Sequence, residues 1–179
     1  MSEEAQPPQQ VDEDFGDWLR RVGYEESRTV EKLVEHLFLA EVLQECWFRR
    51  RQVVEVLHAE VDAAGYDLVL QVDGVTRHVQ LKASHSRART ARQTISNKLP
   101  ERQGGCVVWV SYSVDEQLGR ARLSYRWWDS RVQHLPATPG RNPRTGRVRP
   151  RTSVLKRSDF EVIPDTATLV DRLFGSTSR

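Results

Sequence analysis

Sulfur is scarce in this chain: its 179 residues include two cysteines and one methionine. Cys46 and Cys106 both lie in apolar stretches, so reduced, buried thiols and a cytoplasmic location are expected rather than a disulfide framework. No Cys/His spacing suits structural zinc. There is no run of 18 apolar residues, so no membrane span is expected. The acidic N-terminus lacks the apolar stretch of a secretory signal. Neither GxxxxGK[ST] nor GxGxxG occurs, which leaves no phosphate-cradling loop and no dinucleotide fingerprint. GxSxG is missing too, and neither cysteine has a plausible His/Asn pattern around it. Internal repeats are absent.

What the chain does have is charge, unevenly spread. The formal net charge is +2. Residues 1–75 hold 7 Lys/Arg against 17 Asp/Glu, whereas residues 76–179 hold 20 against 8. A basic half joined to an acidic half points to an anionic partner for the former, nucleic acid above all.

Residues 1–14 are acidic and contain Pro and Gln, the composition of a disordered tail. Phe15, Trp18, Leu19 and Val22 stand at helical spacing and predict a short amphipathic helix over 15–24. Ser27 or Thr29 can cap the next helix, which runs to about Trp47. Its apolar residues lie nearly all round, the pattern of a buried helix. Glu35 and Glu41 therefore stand out, because a buried carboxylate is costly unless paired or metal-bound. On a helical wheel Glu41 falls between Val34 and Leu37, whereas Glu35 falls beside Phe38 and Val42. Val53–Leu57 reads as a first strand, and His58, Glu60 and Asp62 follow at alternating positions, either in a polar loop or lining the same edge as Asp67.

Residues 65–82, GYDLVLQVDGVTRHVQLK, carry the most information. Asp73-Gly74 between two alternating runs is a strong hairpin signal. Strand residues two apart share a face, so Gln80 and Lys82 point the same way, and pairing across the hairpin can bring Asp67 beside them. A carboxylate and an amide oxygen suit a hard cation such as Mg²⁺ or Mn²⁺. A lysine beside them can offset charge developing on a phosphate. The same residues also fit an ordinary amphipathic hairpin with a solvated polar face.

After Lys82, Ser84 or Ser86 predicts a basic helix through about Lys98, bearing Arg87, Arg89, Arg92 and Lys98 and ending before Pro100. Gly105–Tyr112 is a near-continuous apolar run, a buried strand. Leu118–Trp128 is a further strand, on which one tryptophan of Trp127-Trp128 is left to stack on bases. Residues 136–152 contain five arginines, prolines and glycines but no acid. They predict a basic loop whose Arg141, Arg144, Arg147, Arg149 and Arg151 can grip phosphates. Ser153–Val162 reads as a last edge strand and Thr166–Phe174 as a closing helix ended by Gly175.

The order of an acid-bearing helix, a strand, the GYD strand and the QLK strand, followed by a helix and a strand, resembles the PD-(D/E)xK, restriction-endonuclease-like superfamily of nucleases over residues 30–112. The Gln80-x-Lys82 form is most similar to its methylated-DNA restriction (Mrr-like) branch. Tyr66 stands where the family motif has proline. The resemblance implies a mixed sheet flanked by helices and divalent-metal-dependent cleavage of DNA, in restriction or defence against foreign DNA. It carries the family Asp onto Asp67, the Glu/Gln onto Gln80 and the Lys onto Lys82. It favours Glu35 as the helix acid where the wheel favours Glu41. The expectation is thus one α/β domain over 15–179 with a restriction-endonuclease-like core, binding DNA and Mg²⁺ or Mn²⁺, with a homodimer or partner protein compatible with cutting both strands. A catalytically inactive module that binds nucleic acid or a protein fits the same features.

Overall fold

The most apolar stretch of the chain takes the middle of the structure. Gly105–Asp115 forms a strand whose residues as far as Ser111 are buried on both faces, so both faces need cover. In the computed structural model, which describes residues 17, 18, 21, 26–60, 65–142 and 144–176, two layers supply it. Helix α1 (Ser27–Gln44) and helix α2 (Thr166–Phe174) pack on one face. A small second sheet packs on the other.

The central sheet has six strands: β1 (Glu55–His58), β2 (Leu68–Val72), β3 (Val75–His85), β5 (Gly105–Asp115), β6 (Arg120–Asp129) and β9 (Glu161–Ile163), in the order β1-β2-β3-β5-β6-β9. β3 and β5 run parallel and all other neighbours antiparallel, so the sheet is mixed. The parallel pair needs a crossover. It comes from β4 (Arg92–Ser96), which joins β8 (Val148–Lys156) and β7 (Pro139–Arg141) in a three-stranded sheet ordered β4-β8-β7. The Asp73-Gly74 turn forms as its residue types demand, with φ of 47° and 81°, and pairs Val72 with Val75.

Alternation along β3 and β5 divides the interior. Val79, Cys106, Val108 and Val110 meet Val34, Phe38 and Val42 of α1 and Leu169, Val170 and Leu173 of α2. Val107, Trp109 and Trp128 meet Ile95, Leu99, Leu155 and Phe160 on the other side. Both cysteines are free and buried, as expected, and burial raises their thiols to about 11 for Cys46 and about 12 for Cys106. No helix of the described residues is long and apolar enough to cross a membrane.

Several expectations are corrected. The helix over 84–98 does not form: β3 runs on to His85, and Arg92–Ser96 is extended and paired with β8. Ile95 reaches the second core from that strand, and tertiary pairing overrides the local capping signal. The basic loop over 136–152 contains β7, a turn and the start of β8, so it is a hairpin. The single strand over Ser153–Val162 is two strands in two different sheets, with a 3₁₀ turn at Arg157–Asp159 between them. The first strand sits at Glu55–His58. Glu26, not Ser27 or Thr29, occupies the N-cap position of helix α1, without a side-chain capping hydrogen bond, and the helix continues into a π-helical turn at Glu45–Arg50. It is not buried all round, since Leu33, Leu43 and Trp47 are exposed. Trp127 and Trp128 are both buried, one in each core. The predicted tail over 1–14 lies outside the described residues, as does most of the 15–24 helix, of which Asp17, Trp18 and Arg21 are helical.

Candidate functional site

Gly65 begins the site. Its φ is +80°, and a Cβ there would stand 2.3 Å from Ser96 Oγ. Only glycine lets the chain turn this close to the end of β4. Tyr66 then packs edge-on against His78, with ring centroids 4.7 Å apart, and Asp67 follows just before β2. The register that pairs Leu68 with Val79 sets Asp67 opposite Gln80 one residue earlier. The Asp67 N–H donates to Val79 O at 2.9 Å, and its Oδ2 accepts the Leu81 N–H at 2.7 Å. The carboxylate therefore takes the place of a strand that has just ended, at the level of Leu81 and flanked by Gln80 and Lys82.

Gln80 is buried, and its Oε1 accepts the Ser96 N–H at 3.2 Å. The amide thus ties the central sheet to the end of β4, where Lys98 follows; Lys98 N–H donates to Ser96 Oγ. Lys82, two residues on and on the same face, is half-buried. Among the described residues its ammonium has no hydrogen bond or ion pair.

The two helix acids part company. Glu41 faces α2 and β6: its Oε2 accepts from Tyr125 Oη at 2.6 Å and from Thr166 Oγ1 at 2.7 Å. Burial and that carboxylate push the Tyr125 phenol upward. Glu41 is half-buried, and its hydrogen bonds join α1 to β6 and α2. Glu35 is buried beside β1, with Lys32 Nζ at 2.9 Å and His58 Nε2 at 3.4 Å. His58 pairs with Leu68, the neighbour of Asp67, so Glu35 approaches the site end of the sheet. His58 ends β1 rather than lying in a polar loop, Glu60 is exposed in a bend, and Asp62 lies outside the described residues.

No group of three His, Cys, Asp or Glu side chains that could hold a metal occurs among the described residues. A cation here would draw on Asp67 and the Gln80 amide oxygen, whereas Glu35 comes from α1, which covers the other face of the sheet. Those donors fit Mg²⁺ in kind, since it takes one or two carboxylates plus waters and substrate phosphate oxygens.

The basic residues fall into two groups. Arg87 and Arg89 occupy the turn after β3, and Arg92 opens β4; all three are exposed. Arg141, Arg144, Arg147, Arg149 and Arg151 line the exposed β7–β8 hairpin. Sequence reasoning missed Arg77, which is 1% exposed. It donates to the carbonyls of Arg172 and Leu173 and to Asp129 Oδ2, which fastens the end of α2 to β3. An arginine in the middle of a strand was the available signal.

No protein-family model matches the chain, and no curated protein matches it.

Proposed function

We propose that this chain is a metal-dependent DNA endonuclease with a restriction-endonuclease-like core, cutting phosphodiester bonds at the Asp67–Gln80–Lys82 end of the central sheet. The observation that carries this reading is the Asp67 carboxylate at the Leu81 N–H, between Gln80 and Lys82. Asp67 and Gln80, joined by Glu35 of α1, are the residues that would hold Mg²⁺ or Mn²⁺. Such a cation would polarise a phosphate and help to generate the attacking hydroxide. Lys82, unpaired among the described residues and half-buried, offsets the negative charge that grows on the phosphate as the new bond forms. The arginines of the β7–β8 hairpin and of the turn after β3 hold the backbone on either side.

The second reading is a non-catalytic module that binds nucleic acid. Gln80 Oε1 already accepts a backbone N–H and Glu35 already pairs with Lys32, an arrangement that is complete without a metal. A Mg²⁺ and Mn²⁺ titration over plasmid, methylated duplex and branched DNA separates the two. The nuclease nicks at least one of them in a metal-dependent way, and Lys82→Ala loses about 10²–10³ in rate while DNA affinity is kept. Binding without cleavage across every metal and substrate establishes the module instead.

A further inference from the structure

On the face turned to the small sheet, three side chains form a row across three strands. Lys82 of β3 is the register partner of Trp109 of β5, and Trp109 is the partner of Arg126 of β6. Partners on neighbouring strands share a face and lie about 4.8 Å apart, so Lys82 and Arg126 flank the indole with their backbones roughly 10 Å from each other. Trp109 itself is buried, with the Arg157 guanidinium 5.8 Å from its ring centroid. One cation therefore stands over the indole, and two more sit on the strands to either side of it. Its Nε1–H is taken by Ser84 Oγ at 2.8 Å.

Among the described residues none of the three has a counter-ion. Among the described residues, the side chains of Lys82, Arg126 and Arg157 make no hydrogen bond or ion pair. The acids of the adjoining segment are engaged elsewhere. Asp159 accepts the Lys156 N–H, and Glu161 pairs with Arg172. Partial burial, and after it the charge of Arg157, lower the Arg126 guanidinium below its usual value. Like charges held together without an anion destabilise a fold unless an anion comes to them.

We propose that Lys82, Arg126 and Arg157 form one phosphate-binding track for a nucleic-acid backbone, at the rim of the small sheet where Arg157 and Phe160 cover Trp109. The track extends the proposed nuclease site away from Asp67 and rests on the nucleic-acid part of that reading. It does not require cleavage. The next polar row along the strands, Ser84, Ser111 and Ser124, adds hydroxyls without any negative charge.

The test measures binding of a fluorescent duplex by the full chain as salt is varied, with metal omitted. Each phosphate contact contributes about −0.9 to the slope of log K against log salt. Arg126→Gln with Arg157→Gln should make the slope shallower by roughly two such contacts and weaken binding about tenfold or more at low salt, while Arg126→Lys with Arg157→Lys keeps most of the slope. Arg126→Gln alone should leave the thermal midpoint unchanged or raise it, because it relieves a repulsion; a structural arginine would lower it. An unchanged slope in the double Gln variant, with Lys82→Gln or the hairpin variants still altering it, overturns the track and leaves the proposed function standing. Wild-type protein that binds no nucleic acid overturns both. A thermal shift with inorganic phosphate that needs Arg126 and Arg157, in a chain indifferent to DNA, also overturns the track as stated and assigns the cations to a small phosphate ligand.

Discussion

Gly65 and Arg77 show how much single residues decide here. A methyl group at Gly65 meets Ser96 Oγ and Cβ at 2.3 and 2.4 Å, with φ already at +80°. Gly65→Ala should cost about 1–3 kcal/mol and displace Asp67, a prediction checked by urea denaturation together with cleavage. Arg77 is buried with each of its three guanidinium nitrogens donating a hydrogen bond, so Arg77→Met leaves the Arg172 and Leu173 carbonyls without their donor and weakens the hold on Asp129. A loss of about 3 kcal/mol is expected in urea. Asp129 also sets an acid limit. Burial acts to raise its carboxyl, but hydrogen bonds from Arg131 and the charge of Arg77 outweigh that and hold it below the ordinary carboxylate value. A depressed folded-state value contributes stability that is present above the unfolded value, about 3.9, and lost as pH falls through the folded one. The thermal midpoint should therefore drop on acidification below about pH 4, and Asp129→Asn, though less stable near neutrality, should show a smaller drop over that window.

At the scale of elements, α1 carries a buried acid, Glu35, and a half-buried one, Glu41, with different partners. Glu41→Gln removes the charge that Tyr125 and Thr166 donate to and should lower stability by about 1–2 kcal/mol without altering metal affinity. Glu35→Gln should do the reverse, weakening Mn²⁺ binding measured by calorimetry while the urea midpoint moves little. If both variants bind Mn²⁺ as the wild type does, α1 contributes nothing to the site. The β7–β8 hairpin is a second separable element. Removing Arg144, Arg147 and Arg149 together should flatten the salt dependence of DNA binding by up to about three phosphate contacts, because all three are exposed and none is needed by either core. An unaltered slope would assign the hairpin to solvent.

The whole molecule is a three-layer arrangement of helices, central sheet and small sheet, and its charge follows the layers. Acidic residues concentrate before the β2–β3 turn, whereas the small sheet and the strands beneath it carry the arginines. The central sheet separates an apolar interior under α1 and α2 from a second core whose rim is cationic. Asp67, Lys82 and Arg126 all lie on or beside that rim, which is why the candidate chemistry and the candidate backbone track share one face.

The residue order alone determined the hairpin and what it places together. Asp73-Gly74 fixes the turn, period two puts Gln80 and Lys82 on one face, and register then sets Asp67 opposite Gln80; each of these is a short-range consequence of backbone geometry. The buried β5, the closing helix and the reduced cysteines were legible for the same reason, since local apolar pattern reports burial directly. What only tertiary structure decided depends on partners remote in sequence. Arg92–Ser96 is a strand because β8 lies beside it, sixty residues on. Glu41 is structural because Tyr125 and Thr166 reach it, and one face of α1 stays exposed because no described element covers it. Lys82, Trp109 and Arg126 become a row only when β3 lies parallel beside the β5–β6 hairpin. Pairing energy between such segments is not written into either segment by itself, so propensity and capping signals there were overruled.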